Sequence, residues 1–291
     1  MMKFSVIIPV FNSEKTISAT LDSCLRQTYD GEFEIIVIND GSDDRTQKII
    51  DCYSDNRIRK FTIRNSGRAN ARNYGIDQAE GEYLLFLDSD DLLDEKVLSI
   101  AAQYLKEDSY DYCAYGAKYV KENSTLRLHN PSEFNNGDLL YKNVYPINSV
   151  VFRKSITKKF IPNLDYCEDW IFWLDTLLNK KSVIIKDFYG AIVKIHSSNT
   201  MSNYKKVMLG ELLALNYAHV HCRRSLINRF KFLKDYVYLK VLYLDVDFKE
   251  ININERIEFT GKKIVDSILK FEITNIVLKK YFSRNKSEIL Y

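Results

Sequence analysis

Runs of Val, Ile, Phe and Tyr alternate with helix-period patterns through the first 120 residues, the pattern of β-α-β units built around a largely parallel sheet. The reading predicts strands over Phe4–Val10, Phe33–Ile38, Ile58–Ile63, Tyr83–Leu87 and Tyr110–Tyr119. Between them it predicts helices over Glu14–Gln27, Thr46–Tyr53, Ala69–Ala79 and Glu95–Leu105, with Asn12-Ser13 and Asp94 as N-cap residue types just ahead of their helices. From Lys121 to Asn143 the chain turns polar, Asn130-Pro131 and Asn135-Asn136-Gly137 reading as loops. Trp170, Trp173, Leu174, Leu177 and Leu178 recur at i, i+3, i+4, i+7 and i+8, so a helix with one apolar face opens at Asp169 or its neighbour. Val183–Ile185 and Ala191–Ile195 read as short strands, and everything beyond Tyr204 reads as helix. The expectation is an α/β domain over 1–202, with helices on both faces of a mostly parallel sheet, followed by a helical region over 203–291.

Composition narrows the class. Of 291 residues, 46% are hydrophobic and 28% charged, which disfavours a disordered, collagen-like or polytopic membrane chain. The five cysteines are scattered, without a C-x-x-C pair, and point to a reducing cytosol. Met1 to Pro9 carries one positive charge and a short apolar run without a small-residue cleavage site, so it reads as a first strand. The longest charge-free run, Leu212 to Cys222, falls short of the roughly 20 apolar residues that span a bilayer. Residues 201–291 hold 17 Lys/Arg against 10 Asp/Glu, while the rest of the chain is mildly acidic. Within that tail Arg223, Arg224, Arg229, Lys231, Lys234 and Lys240 interleave with Phe230, Phe232, Tyr236, Tyr238 and Tyr243. Such a mixture suits a helix lying in a membrane interface, and equally one packed on the catalytic domain with snorkelling side chains. No nucleic-acid-binding motif accompanies the basic residues, so nucleic acid is not an expected partner.

Ligands of open parallel sheets bind outside the carboxyl ends of the strands, and three of the predicted ends are unusually polar. They are Pro9-Val10-Phe11-Asn12, Asn39-Asp40-Gly41-Ser42-Asp43-Asp44 and Asp88-Ser89-Asp90-Asp91. If the strand stays extended through Ser89, Asp88 and Asp90 project from one face and suit a hard cation such as Mg2+ or Mn2+. The same acids also suit the positive end of the helix that follows. Arg68 and Arg72 lie near a helix start and fit either a phosphate or plain surface exposure. A diphosphate beside carboxylates is repelled by about 4 kcal/mol per charge pair at about 4 Å and an effective dielectric near 20, so diphosphate and bridging cation form the consistent pair.

Four blocks in order, Ser5-Val6-Ile7-Ile8-Pro9-Val10-Phe11-Asn12, Ile38-Asn39-Asp40-Gly41-Ser42-Asp43-Asp44-Arg45-Thr46, Ala71-Arg72-Asn73-Tyr74-Gly75-Ile76 and Gly81 through Asp91, resemble glycosyltransferase family 2. The resemblance continues more weakly through Cys167-Glu168-Asp169-Trp170 and Ile195-His196-Ser197-Ser198. It implies a GT-A fold and an inverting transfer from a nucleotide diphosphate sugar, usually a UDP-sugar, to a hydroxyl acceptor. Carried over by position, Phe11 and Asp40 would flank the base, Asp40 accepting from uracil N3–H, while Arg72 and Asp88 would hold the nucleotide. The resemblance also assigns Pro9, Asn12, Glu14 and Ser89 to the donor, Asp90 and His196 to a divalent metal, Mn2+ or Mg2+, and Asp169 to the general base. Glu168 and Asp169 on their own also read as acids complementing a helix dipole. Asn39 stands where the family usually has Asp, and Phe11 where Tyr is common, an aromatic that still stacks on a base.

The function expected is therefore a metal-dependent glycosyltransferase of surface polysaccharide or glycolipid synthesis. Its acceptor would be a saccharide or lipid-linked saccharide, and its place the cytoplasm or the inner membrane face. The competing readings are a nucleotidyltransferase, which would release pyrophosphate, and a nucleotide-sugar-binding subunit without turnover.

Overall fold

The computed structural model describes residues 2–106, 109–122, 124–196 and 203–222. The chain divides into two units, one of residues 1–139 with 143–199, the other of residues 140–142 with 200–291. The first contains, in chain order, β1 (Phe4–Val10), α1 (Ile17–Leu25), β2 (Phe33–Asn39), α2 (Thr46–Asp51), β3 (Ile58–Thr62), α3 (Arg68–Gln78), β4 (Tyr83–Phe86), β5 (Leu92–Leu93) and α4 (Val97–Leu105). It continues with β6 (Tyr112–Ala114), β7 (Ala117–Lys121), β8 (Ser124–His129), β9 (Val150–Arg153), α5 (Glu168–Leu177), β10 (Ser182–Ile184) and β11 (Ala191–Lys194). In the second unit α6 (Tyr204–Tyr217) is capped by Asn203, whose side chain accepts from the Lys206 amide. The basic, aromatic stretch from Arg223 onward lies outside the described residues.

Seven strands form one sheet in the order β10-β6-β9-β4-β1-β2-β3. All seven residues of β1 are buried, as expected of a central strand covered on both faces. It runs parallel to β2, Phe4 opposite Phe33 and Val10 opposite Asn39, and parallel to β4 on its other side. Because β2 and β3 grow away from β1 in one direction and β4 lies in the other, the strand order reverses at β1. The crevice outside its carboxyl end is where such a sheet binds ligands.

Alternation along β1 sends Val6, Ile8 and Val10 into a core shared with Ile17, Leu21 and Cys24 of α1 and Val97, Leu98 and Ala101 of α4. Ile7 faces the opposite side, where α3 approaches so closely that a Cβ on Gly75 would lie 2.4 Å from Ile7 Cγ2 and 2.9 Å from Ile38 Cδ1. Only glycine permits that approach, and it brings Arg72, one turn earlier, to the strand ends. On this face too, Phe86 of β4 packs edge-on to Phe160 and Phe172, which stack with ring centroids 4.0 Å apart. That aromatic cluster fixes α5, with its acidic N-terminus, against the sheet.

Several expectations need correcting. The single strand expected over Tyr110–Tyr119 is two strands, β6 in the large sheet and β7 in a second sheet of order β5-β11-β7-β8, with Tyr115-Gly116 as the crossing point. The polar stretch expected as loop holds β8, whose outward residues are exposed and so carry no apolar alternation to read. The pattern also hid β9, an antiparallel strand between β4 and β6. Neither Ser13 nor Asp94 caps its helix, since α1 begins at Ile17 and α4 at Val97; instead the Ser13 carbonyl accepts from Thr16 and Ile17, and the Asp94 side chain accepts from Lys96.

Candidate active site

The ends of β1 and β2 form one wall of the crevice. Pro9 is buried within β1, and Phe11, just beyond it, is 48% exposed with its ring available to a flat partner. Asn12 takes a left-handed conformation (φ 48°) that its short polar side chain tolerates, and its Oδ1 accepts from the Asp43 amide at 3.0 Å. Glu14 Oε2 accepts from the Arg45 amide and from Arg45 Nε, both at 3.1 Å, which holds its carboxyl below the usual range. Asp40 is buried, and its two oxygens accept from the Ser66 and Gly67 amides at 2.8 Å each. Gly67, at φ 88°, turns the chain into α3, so Asp40 braces the loop that delivers Arg72. Asn39 is occupied as well: Oδ1 accepts from Ser42 N and Oγ, and Nδ2 donates to Gln47 Oε1 at 2.6 Å. The amide therefore has a partner for the donor that an aspartate there would lack.

The opposite wall is the acidic turn after β4. The strand ends at Phe86, and the Asp91 amide donates to the Asp88 carbonyl at 3.1 Å, so Asp88-Ser89-Asp90 is a turn, not the extended pair that the alternation predicted. The turn separates the two carboxylates by partner. Asp88 Oδ1 accepts from Arg72 at 2.6 Å, whereas Asp90 Oδ2 lies 2.8 Å from His196 Nε2. Burial, with the Asp88 charge adding to it, pushes the Asp90 carboxyl above its ordinary value, and His196 opposes the shift. From α1, Thr20 Oγ1 lies 2.9 Å from the carbonyls of both Ser89 and Asp91, and Ser13 Oγ meets Ser89 Oγ at 2.7 Å. Asp91 faces inward, bonded to Asn148 Nδ2 and the Lys194 amide, and burial raises its carboxyl well above the ordinary value.

Between the walls stands Arg72, 1% exposed and so not the surface arginine that its sequence setting also allowed. Its Nη1 donates to Glu168 at 2.9 Å and its Nη2 to Asp88, while its Nε is buried without a partner among the described residues. Arg68 joins through its Nε, 2.7 Å from Glu168, and through a bond to the Asp165 carbonyl. The chain Arg68–Glu168–Arg72–Asp88 thus ties the start of α5 to the end of β4. Glu168 was visible in the sequence only as the neighbour of Asp169. Its part in the network follows from the approach of α3, which no local pattern encodes.

Asp169 occupies the first turn of α5 after Cys167, a left-handed residue at φ 55°. Its carboxyl is pushed up to about 6, first by burial and then by the Glu168 charge, with the Asn143 hydrogen bond and the Arg72 and Arg68 charges opposing. A carboxylate titrating there is ionised at neutral pH yet basic enough to accept a proton. Asp90 and His196 place one carboxylate oxygen and one imidazole nitrogen side by side, a pair that could hold a cation. Among the described residues no three His, Cys, Asp or Glu side chains converge on a point. Two protein donors leave the remaining positions of an octahedral ion to water and substrate phosphate; the carboxylate suits Mg2+ or Mn2+, while the imidazole nitrogen favours the transition metal, so the residues fit Mn2+ better than Mg2+.

Residues 5–175 match the family model of Glycosyl transferase family 2. The chain belongs to that family. A glycosyltransferase of Haemophilus influenzae, itself uncharacterized, is 34% identical over 211 residues, 68% of this chain and 82% of the relative. The UDP-Glc:alpha-D-GlcNAc-diphosphoundecaprenol beta-1,3-glucosyltransferase WfaP of Escherichia coli is 28% identical over 232 residues, 77% of this chain and 89% of WfaP. The poly(ribitol-phosphate) beta-N-acetylglucosaminyltransferase TarS of Staphylococcus aureus is a longer protein: 39% identity extends over 115 residues, 38% of this chain and 20% of TarS. The crystal structure of TarS 1–349 in complex with UDP-GlcNAc superposes with a TM-score of 0.63, covering 82% of this chain and 80% of that one at 23% identity. The chain therefore has the GT-A fold of TarS and is a glycosyltransferase of family 2.

Proposed function

We propose that this glycosyltransferase is an inverting enzyme that moves one sugar from a UDP-sugar to a hydroxyl of a saccharide or lipid-linked saccharide acceptor. The observation that carries the reading is the Arg72 bridge from Glu168 to Asp88. It holds the base-bearing start of α5 beside the acidic turn, so one crevice contains a proton acceptor and a place for a departing diphosphate.

In this reading Phe11 stacks on the base, and the braced loops of Asn12, Glu14 and Asp40 shape the nucleotide site around it, with Pro9 forming its floor. Asp88, Ser89 and Arg72 border the ribose and diphosphate. Asp169 removes the acceptor hydroxyl proton as that oxygen bonds to the anomeric carbon; the bond from that carbon to the diphosphate oxygen breaks on the opposite face, and the nucleoside diphosphate leaves. One displacement inverts the centre. Asp90 and His196 would hold Mn2+ or Mg2+, which when bound supplies positive charge against the diphosphate. Action at a membrane face is part of the proposal because the name of WfaP gives it a diphosphoundecaprenol-linked acceptor, and such a lipid anchors its saccharide to a bilayer. Among the described residues no helix is long and apolar enough to cross a membrane.

The test is calorimetric titration of UDP, GDP and a panel of UDP-sugars into the full chain and Asp90→Ala, with and without manganese, followed by turnover of Asp169→Asn. Manganese-dependent UDP binding, lost in Asp90→Ala, and turnover lost in Asp169→Asn with donor affinity kept, are the expected results. Nucleotide binding without any turnover in the parent chain would replace the enzyme by a nucleotide-sugar-binding subunit.

A further inference from the structure

The contacts around Asp169 single out a residue that no sequence motif marks. A carboxylate accepts hydrogen bonds only, so an amide beside it turns its NH2 inward. Asn143 does so, donating from Nδ2 to Asp169 Oδ2 at 2.9 Å, while Oδ1 accepts from the Trp170 amide at 2.8 Å. One donor on each oxygen fixes the rotation of the carboxylate and leaves its other lone pairs for an incoming proton.

The placement of Asn143 is built, not incidental, although the residue itself is exposed. Two indoles of α5 pin the loop that carries it. Trp170 Nε1 donates to the Leu139 carbonyl at 2.6 Å, and Trp173 Nε1 donates to the Tyr145 carbonyl at 2.9 Å. These clamps lie four residues before Asn143 and two after it. Both tryptophans are buried, so the helix that presents the base also anchors the loop that orients it.

We infer that Asn143 is a positioning residue for the general base: held by Trp170 and Trp173, it fixes the orientation of the Asp169 carboxylate and stabilises its ionised form. The inference rests on the reading of Asp169 as the base and deepens it. The other charged and titratable groups that face Asp169 are Glu168 on its own helix, Arg68 and Arg72 on α3 and Tyr119 on β7. Of these Glu168 opposes ionisation and the two arginines favour it, while Asn143 adds a neutral side-chain donor to the charged form.

Two measurements test this on the full chain. The first needs no substrate: carbon-13 carboxyl titration of aspartate-labelled protein, with the Asp169 signal assigned by its loss in Asp169→Asn. Asn143→Ala is expected to raise the Asp169 midpoint by about one pH unit, because a donor to the charged form is lost. Asn143→Asp, which replaces the donor by a like charge, is expected to raise it further. The second is UDP release from UDP-glucose and UDP-N-acetylglucosamine with manganese across pH 5–9. The acidic limb should move with the midpoint, so that kcat of Asn143→Ala falls about fivefold at pH 6 and recovers by pH 9, with the donor KM unchanged. A role in folding alone would lower kcat equally at every pH. An unmoved Asp169 midpoint in both variants overturns the inference, whereas full turnover in Asp169→Asn overturns the base assignment instead.

Discussion

Arg72 and Glu168, 96 positions apart in sequence, meet in a buried ion pair at 2.9 Å. A charge so buried is tolerated only with partners, and Arg72 has Asp88 as its second. Arg72→Met strips both carboxylates at once, although Glu168 keeps Arg68. We expect a loss of about 3 kcal/mol in urea unfolding with an unchanged m-value. Arg72→Lys should recover little of it, since one ammonium cannot reproduce the planar fork that reaches two diverging carboxylates. Stability equal to that of the parent chain would show the pair to be dispensable.

Gly75 sets the distance between α3 and β1, and with it the reach of Arg72. Gly75→Ala puts a Cβ against Ile7 Cγ2 and Ile38 Cδ1, both core atoms with little room to retreat. Overpacking of this kind costs about 1–3 kcal/mol. Ile7→Ala removes the nearer atom, so the double variant should be more stable than the sum of the single losses predicts. Strict additivity in a urea double-mutant cycle would rule the contact out as the cause.

How far the sequence displayed this site depends on the range over which each feature is encoded. The β-α-β order through α4 was legible because every element there has its own apolar period, and the polar strand ends stood out against it. Of the short strands, β10 and β11 were legible as apolar runs, whereas three others were not. β8 is exposed, β5 has two residues, and β9 inserts antiparallel between strands remote in sequence. Asp169 and His196 were singled out only through the motifs around them. Arg72 stood out in its motif, but local sequence cannot show that α3 presses it against two carboxylates. Asn143 was invisible because its role comes from two indoles on a helix reached later in the chain.

Asp90 and His196 meet at 2.8 Å across 106 residues, joining the acidic turn to the end of β11. If that pair binds the cation, His196→Ala should weaken manganese binding by roughly tenfold or more, and the manganese-dependent binding of UDP with it. Titration of manganese, followed by electron paramagnetic resonance, measures this directly. Equal manganese affinity in both proteins would assign the ion to other residues.

The raised carboxyl of Asp169 also makes stability and activity pull in opposite directions. Its folded pKa of about 6 lies above the ordinary carboxylate value, so the folded state holds this proton more tightly than the unfolded chain does. Stability from this group is therefore fully present below about pH 4, declines as pH rises toward 6, and is lost at neutral pH, where the buried charge persists. Asp169→Asn keeps the shape and removes the charge. Its Tm at pH 8 should exceed that of the parent chain by roughly 2–4 °C for each kcal/mol regained, partial solvent exposure keeping the gain small. The difference should vanish near pH 4, where both side chains are neutral in the folded state. Turnover should fall by about 10²–10⁴, the usual contribution of a positioned base. A residue serving only the helix dipole predicts the reverse at pH 8, a lower Tm with activity retained, because there the negative charge would stabilise α5.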